Sequence, residues 1–338
     1  MRRRVLALCV ISAVSLAGAC VYVANAALDA RRVEKRAEQV QGQAVPVAFQ
    51  VAAVTSQKPY VVFRRTDATD PYTFGRLALA PLDDLAHAVV TKQKCARVAF
   101  SGGRGSCLDV PNGFGSSKRG WILGADLVPI RTFDIFGRPT RTRVSRDGKL
   151  AGVTVFDLGG AHSYAVAGTF ATKTTLIDVA SGKTIANLEQ FKATRNGKPF
   201  KNVDFNFWGV TFANDHNVFY ATLASGKKTY LVRGNIRKRT LTTVFENVEC
   251  PALSPDETRV AFKRRTPDPG VWRFAVLDLK TKRVTLLSER QSVDDQPEWL
   301  DNRRVLYSRD NDVYVVNADG SGLPKVLIHG ADSPTVVR

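Results

Sequence analysis

Ser254-Pro255-Asp256-Glu257-Thr258-Arg259-Val260-Ala261-Phe262 is the stretch of sequence that decides the fold. It joins a small-polar turn to a short apolar strand. Pro presets φ, and short Ser and Asp side chains hydrogen-bond the backbone where the strand begins. Ser145-Arg146-Asp147-Gly148-Lys149-Leu150-Ala151 repeats the turn and the strand start, and Arg97-Val98-Ala99-Phe100 repeats the strand residue for residue. Asn214-Asp215-His216-Asn217-Val218-Phe219-Tyr220 and Asp301-Asn302-Arg303-Arg304-Val305-Leu306-Tyr307 are looser copies.

A second motif follows, an apolar pair, Asp and a polar turn. Leu176-Ile177-Asp178-Val179-Ala180-Ser181-Gly182-Lys183 matches Val276-Leu277-Asp278-Leu279-Lys280-Thr281-Lys282-Arg283. Taking Pro81, Asp134, Asp178, Arg233, Asp278 and Asn317 as equivalent points gives a mean period of about 47 residues, the length of a four-stranded propeller blade. Each such sheet is apolar on both faces and gains stability only by stacking against two neighbours around an axis. The chain ends in Ser333-Pro334-Thr335-Val336-Val337-Arg338, a turn and strand with no blade after it, while Tyr60-Val61-Val62-Phe63 opens the first unit without such a turn. The two ends complete one blade, which removes the free sheet edges that invite aggregation. The expected fold is all-β: a six-bladed β-propeller over residues 56–338, closed by the C-terminal strand and preceded by an N-terminal apolar helix. Strand-and-turn patterning is expected from about Val47 onward, with only residues 83–93 looking helical.

The beginning of the chain has a different character. Arg2, Arg3 and Arg4 precede an apolar run from Val5 to Val23, the order of a secretory signal, and Ala24-Asn25-Ala26 offers cleavage after Ala26. Residues 1–27 therefore read as a signal peptide, or as an uncleaved signal anchor, since residues 5–28 carry no charge. Leu16-Ala17-Gly18-Ala19-Cys20 is similar to a lipoprotein box with Leu one place too early. Each alternative exports the body across the cytoplasmic membrane, secreted or anchored. Residues 28–55 read as a polar stalk or linker.

The net charge is +18, of which residues 1–40 supply +4 and the remainder +14. A basic body suits an anionic lipid or envelope polymer as well as a plain solvated surface. The basic residues are scattered, with no recognition helix or RNA-binding motif, so no specific nucleic acid is expected. Outside the leader the cysteines are Cys95, Cys107 and Cys250. An exported protein sits where disulfides persist, and Cys95 with Cys107, twelve apart across a Gly-rich turn, are a candidate pair on neighbouring strands; three unpaired thiols are the alternative. No Cys-x-x-Cys is present and His87, His162, His216 and His329 are isolated, so no metal and no cofactor is expected.

Cys250-Pro251-Ala252-Leu253-Ser254-Pro255-Asp256, Val276-Leu277-Asp278 and Asp295-Gln296-Pro297-Glu298-Trp299 resemble the propeller repeats of the TolB family. The resemblance covers about residues 55–338 and implies a propeller that binds proteins in the periplasm, used in TolB itself by a lipoprotein partner and by toxins. Residues 28–55 are too few to form the α/β domain that precedes the propeller there. The function expected is that of a non-catalytic platform for an envelope protein or peptide. No Gly-x-Ser-x-Gly elbow, phosphate loop or dinucleotide fingerprint occurs. The strongest polar group is Asp294, Asp295, Gln296, Glu298 and Trp299, expected at the channel mouth. Its carboxylates suit binding, and alternatively a hydrolase or lyase acid–base pair or calcium ligands; inter-blade pairing with Arg is the structural alternative.

Overall fold

The computed structural model describes residues 46–108, 119–156 and 171–338, together with Ala24, Asn25, Leu28 and Arg31. The signal peptide, its cleavage after Ala26, the lipoprotein-like box and most of the stalk lie outside the described residues. The chain divides into two units, Met1–Gln50 and Val51–Arg338, and the propeller lies in the second. The first described element, α1 (Val47–Thr55), corrects the expectation of strands from Val47. Val-Ala-Phe-Gln-Val-Ala-Ala-Val holds no turn former, and its buried residues, Val51 and Val54, are three apart, a helical spacing. Among the described residues no helix is long and apolar enough to cross a membrane.

Among the described residues twenty-six strands follow, in six sheets that run through the sequence in order. Blade 1 holds β1 (Tyr60–Arg65), β2 (Arg76–Pro81) and β3 (Val89–Lys94). Blade 2 holds β4 (Arg97–Ser101), β5 (Arg104–Leu108), β6 (Arg119–Leu123) and β7 (Pro129–Asp134). Blade 3 holds β8 (Arg138–Val144), β9 (Leu150–Phe156), β10 (Thr172–Asp178) and β11 (Thr184–Asn187). Next come β12 (Lys192–Arg195) and β13 (Lys198–Phe200), then β14 (Asn206–Phe212), β15 (Val218–Ser225), β16 (Lys228–Asn235) and β17 (Thr240–Glu246) of blade 4. Blade 5 holds β18 (Glu249–Leu253), β19 (Arg259–Arg265), β20 (Trp272–Asp278) and β21 (Val284–Leu286). Blade 6 holds β22 (Glu298–Trp299), β23 (Arg304–Arg309), β24 (Asp312–Asn317) and β25 (Lys325–Ile328).

The last strand, β26 (Ala331–Val337), returns to blade 1 and pairs antiparallel with β1, Val337 opposite Tyr60 and Val336 opposite Val61. We label the strands of each blade A to D from the axis outward. The A strands β26, β4, β8, β14, β18 and β22 contact one another in turn and form a closed ring around a channel. The antiparallel meander puts the A–B and C–D turns on one face (the turn face) and the B–C loops and D–A connectors on the other (the connector face). Apolar clusters fill the spaces between consecutive blades: Ala252, Phe274 and Val276 of blade 5 meet Trp299, Val305 and Tyr307 of blade 6. Between blades 6 and 1, Leu306 and Val313 meet Val61, Phe63 and Val336.

Both repeat motifs are turn devices. In blade 5 the Ser254 hydroxyl donates to Asp256 Oδ1 (2.5 Å), which also accepts from the Thr258 amide (3.1 Å), while the Arg259 amide donates to Ser254 Oγ (3.0 Å). Blade 3 repeats the set with Ser145, Asp147, Lys149 and Leu150 at 2.7, 3.2 and 2.9 Å. At the C–D turns, Asp178 accepts from the Ser181 amide and Asp278 from the Thr281 amide, both at 2.7 Å. Blade 2 makes its A–B turn with Gly102 and Gly103 instead. Gly102 has φ +57°, and a Cβ there would lie 2.3 Å from the carbonyl carbon of Asp147 in the next turn. Only Gly fits.

These bonds set a pH dependence. Burial alone would raise the Asp256 carboxyl, but the Ser254 hydroxyl and the Thr258 amide and hydroxyl outweigh it and bring the value down to about 2. Asp147, Asp178, Asp215, Asp278, Asp301 and Asp319 are lowered as well. A depressed folded-state value contributes stability above the unfolded value and loses it as pH falls through the folded one. The thermal midpoint will therefore drop between the ordinary carboxyl value of 3.8 and about 2. Asp332, raised by burial against the pull of Arg64, acts in the opposite sense, losing stability as pH rises through its folded value. In melts recorded across this range, Asp256→Ala will shallow the drop; a midpoint that stays flat for the parent chain would remove the turn assignment.

Some boundaries differ from the sequence reading. Residues 83–93 hold a three-residue 3₁₀ turn and then most of β3, because Val89, Val90 and Thr91 are β-branched and pair with β2. Arg97-Val98-Ala99-Phe100 lies in an A strand, whereas its twin at 259–262 lies in a B strand. Asp134 ends a D strand rather than a C strand, and Arg233 falls two residues before the end of its C strand. The long step into blade 4 comes from β12 and β13, which widen that sheet to six strands, β12 running parallel to β17. The new edge is β13, three residues with Lys and Pro, a poor template for further pairing.

Candidate binding site in the propeller channel

Alternate residues of an A strand face the axis, and in β8 these are Arg141 and Arg143. Opposite them runs the connector from blade 5 to blade 6, which carries Asp294, Asp295, Gln296 and Pro297 into β22. Asp294 receives the Lys263 ammonium in a short ion pair and Arg141 Nη2 at 3.0 Å. Burial would raise its carboxyl, but Lys263 and then Arg141 outweigh that and hold it low. Asp295 is 5% exposed; it accepts from the Ser308 amide (2.9 Å) and faces Arg97 at 3.4 Å. Glu298 makes a short ion pair with Arg143, whose Nη2 also donates to the Pro297 carbonyl (2.8 Å). Each of the three carboxylates thus meets a cation, and Asp295 also lies near enough to Asp332 to help raise that carboxyl.

Trp299 lines the turn-face end of the channel, but its side chain is held in the core. It is 1% exposed, donates Nε1 to the Ala252 carbonyl (2.8 Å) and packs in the cluster between blades 5 and 6, with Arg259 over its ring at 5.3 Å. An indole has one polar hydrogen, and here it is used.

Among the described residues, two of the cavities lie along the axis. The one nearer the connector face is lined by Arg97, Arg141, Arg143, Asp295, Gln296 and Ser333. Its charges are largely matched. The second opens on the turn face, where Arg143, Arg146 and Arg338 share the wall with Glu257, Glu298 and apolar Phe212. Arg146 donates only a long bond to the Pro255 carbonyl (3.4 Å), and Arg338 bonds the Trp299 carbonyl; neither forms a salt bridge among the described residues. Burial, with Arg146 beside it, pushes the Arg338 guanidinium down to about 10, and burial likewise brings Arg143 to about 10. Three guanidiniums converge there on a wall that carries two carboxylates, Glu257 and Glu298, with Asp301 near enough to act on Arg338. Sequence reading singled out the carboxylate loop and passed over this trio. Arg141-x-Arg143 in a strand followed by the Ser145-Arg146 turn was the available signal, but Arg338 joins it only through the closure of the ring.

Cys95 and Cys107 form a disulfide with Cα atoms 5.4 Å apart. Cys107 lies in β5, but Cys95 is in the connector just before β4, so the bridge ties the entry of blade 2 to its second strand. Cys250 is a buried free thiol. Among the described residues no three His, Cys, Asp or Glu side chains gather as a metal site.

No family model and no curated protein matches this sequence. Solved structures do. TolB from Acinetobacter baumannii is similar at 15% identity, over 83% of this chain and 67% of that one, with a TM-score of 0.56. A chain of the nidogen–laminin complex is similar at 12% identity, over 82% of this chain and 98% of that one, with a TM-score of 0.54. At such identities the likeness is one of architecture, and with the closed ring of six sheets it makes this chain a six-bladed β-propeller of the kind found in TolB.

Proposed function

We propose that this chain is an exported, non-catalytic interaction propeller of the cell envelope, which receives an acidic segment of a partner protein at the turn-face mouth of its channel. The observation that carries the reading is the convergence of Arg143, Arg146 and Arg338, two of which form no salt bridge among the described residues. A carboxylate entering there gains charge-assisted hydrogen bonds at a mouth that exposes Phe212 and Pro255 beside them. The apolar leader and the disulfide support export, and the nidogen–laminin structure is itself one of a protein complex. An acid–base role gains no support: Lys263 and Arg141 hold the Asp294 carboxyl low, which makes it a poor proton donor, and Asp295 and Glu298 are each engaged by an arginine.

The test is selection of peptides from a displayed random library on the immobilised chain. Acidic sequences are expected to enrich, and Arg146→Glu should weaken the best of them by about ten- to a hundredfold, the value of a charge-assisted hydrogen bond. Enrichment without acidic character, or peptides indifferent to Arg146→Glu, would contradict the proposal.

A further inference from the structure

The turn face carries a second feature, away from the channel. Its C–D turns lie at the outer part of the blades, and in each of four blades the residue that opens the turn bonds back to the neighbouring A–B turn: Val179 to Lys149, Ile236 to Asn217, Leu279 to Thr258 and Ala318 to Arg303, at 2.7–2.9 Å. Each tip is therefore tied down to its own blade, and the common meander points the tips the same way. In blades 3, 4 and 5 those tips hold Lys183, then Arg237 and Lys238, then Lys280, Lys282 and Arg283, all exposed. No salt bridge among the described residues uses any of the six. Lys282 donates to the Leu279 carbonyl of its own turn (2.7 Å). The carboxylates nearest in sequence, Asp178 and Asp278, are occupied with backbone amides of the same turns.

The blades on either side present exposed aliphatic side chains at their tips, and the carboxylates of those turns, Asp126 and Asp319, are engaged by the Val128 and Ser321 amides. Val128 and Ile130 flank Pro129 at the C–D turn of blade 2, each 53% exposed, and Leu323 in the C–D loop of blade 6 is 80% exposed. Leu286 in blade 5, 49% exposed, adjoins that loop, since Gly320 passes against its carbonyl oxygen. An arc of unpaired cations bordered at both ends by exposed aliphatic side chains is the pattern of an interfacial membrane surface. Basic residues there meet anionic headgroups while short apolar tips enter the boundary with the acyl chains. A soluble polyanion would use the cations and leave the aliphatic tips in water.

We propose that the C–D turns of blades 2 to 6 form a docking surface for an anionic phospholipid bilayer, with Lys and Arg of blades 3–5 on the headgroups and Val128, Ile130 and Leu323 inserted beside them. The surface lies outside the channel, and its test is independent of peptide capture.

The experiment is co-flotation of the full chain with phosphatidylcholine vesicles, with and without phosphatidylglycerol. The leader contributes the same apolar affinity to every variant, so the comparison isolates the turns. Parent chain is expected to favour the anionic vesicles, less so at high salt. Lys183→Glu/Lys238→Glu/Lys280→Glu should lower that partitioning by roughly a hundredfold, since each basic residue near an anionic surface contributes about fivefold. Val128→Ser/Leu323→Ser should lower it by a few-fold while leaving the binding of a soluble polyanion unchanged. Lys198→Glu/Lys227→Glu/Arg290→Glu, which makes the same charge change away from these turns, should keep the parent value. Equal losses in the two charge-reversal variants, no preference for phosphatidylglycerol, or indifference to the apolar substitutions would overturn the assignment.

Discussion

Replacing Glu298 with Ala will destabilise the propeller by about 3–5 kcal/mol, the usual cost of stripping one partner from a buried ion pair. Glu298 and Arg143 are 12% and 14% exposed at their side chains, and they join blade 6 to blade 3 across the channel. Burial already pulls the Arg143 guanidinium down to about 10, so without Glu298 a charge remains in a place that disfavours it. The companion variant Arg143→Met/Glu298→Leu removes both charges and should recover most of the loss, because an apolar pair of similar size avoids the desolvation penalty. A double-mutant cycle in denaturant melts reads the coupling. A structural pair gives a large coupling that the double variant relieves. If Glu298→Ala were neutral, Glu298 would be free for another task, and the assignment of this loop to scaffolding would fall.

The repeat was legible in the sequence because its turns are chemical. Ser-x-Asp and the Asp after an apolar pair each satisfy particular backbone amides, so the same letters return wherever the chain makes the same bend. Strand identity was less legible. Arg-Val-Ala-Phe at 97–100 and 259–262 is the same text in an A strand and a B strand, since both are buried on two faces and ask only for apolar, β-prone residues. The β12–β13 extension left no mark, because an edge hairpin that leans on one sheet needs little apolar pattern of its own. The helix at Val47–Thr55 was masked by composition, as Val and Ala serve either periodicity when a run is short.

The site was legible in part. The carboxylate loop stood out because Asp294-Asp295-Gln296-Pro297-Glu298 is contiguous, yet its partners Arg97, Arg141, Arg143 and Lys263 come from blades 2, 3 and 5. Spatial convergence of residues 31 to 198 apart leaves no local trace. The cationic arc was equally hidden. Lys183, Arg237 with Lys238, and Lys280 look like scattered charge until the meander places every C–D turn on one face.

All of this depends on the ring being closed by its two ends. β26 sets Ala331, Val336 and Val337 into the core beside β1 and places Arg338 at the channel mouth. Each buried Val contributes about 1.5–3 kcal/mol and each ladder hydrogen bond about 1 kcal/mol, a sum comparable with the 5–15 kcal/mol that holds a whole domain together. The decisive measurement is thermal unfolding of a chain ending at Gly330, alone and with a synthetic peptide of residues 331–338 added. Closure predicts loss of the cooperative transition in the shortened chain and its return when the peptide fills the empty place beside β1. A shortened chain that melts like the parent, with no response to the peptide, would contradict it.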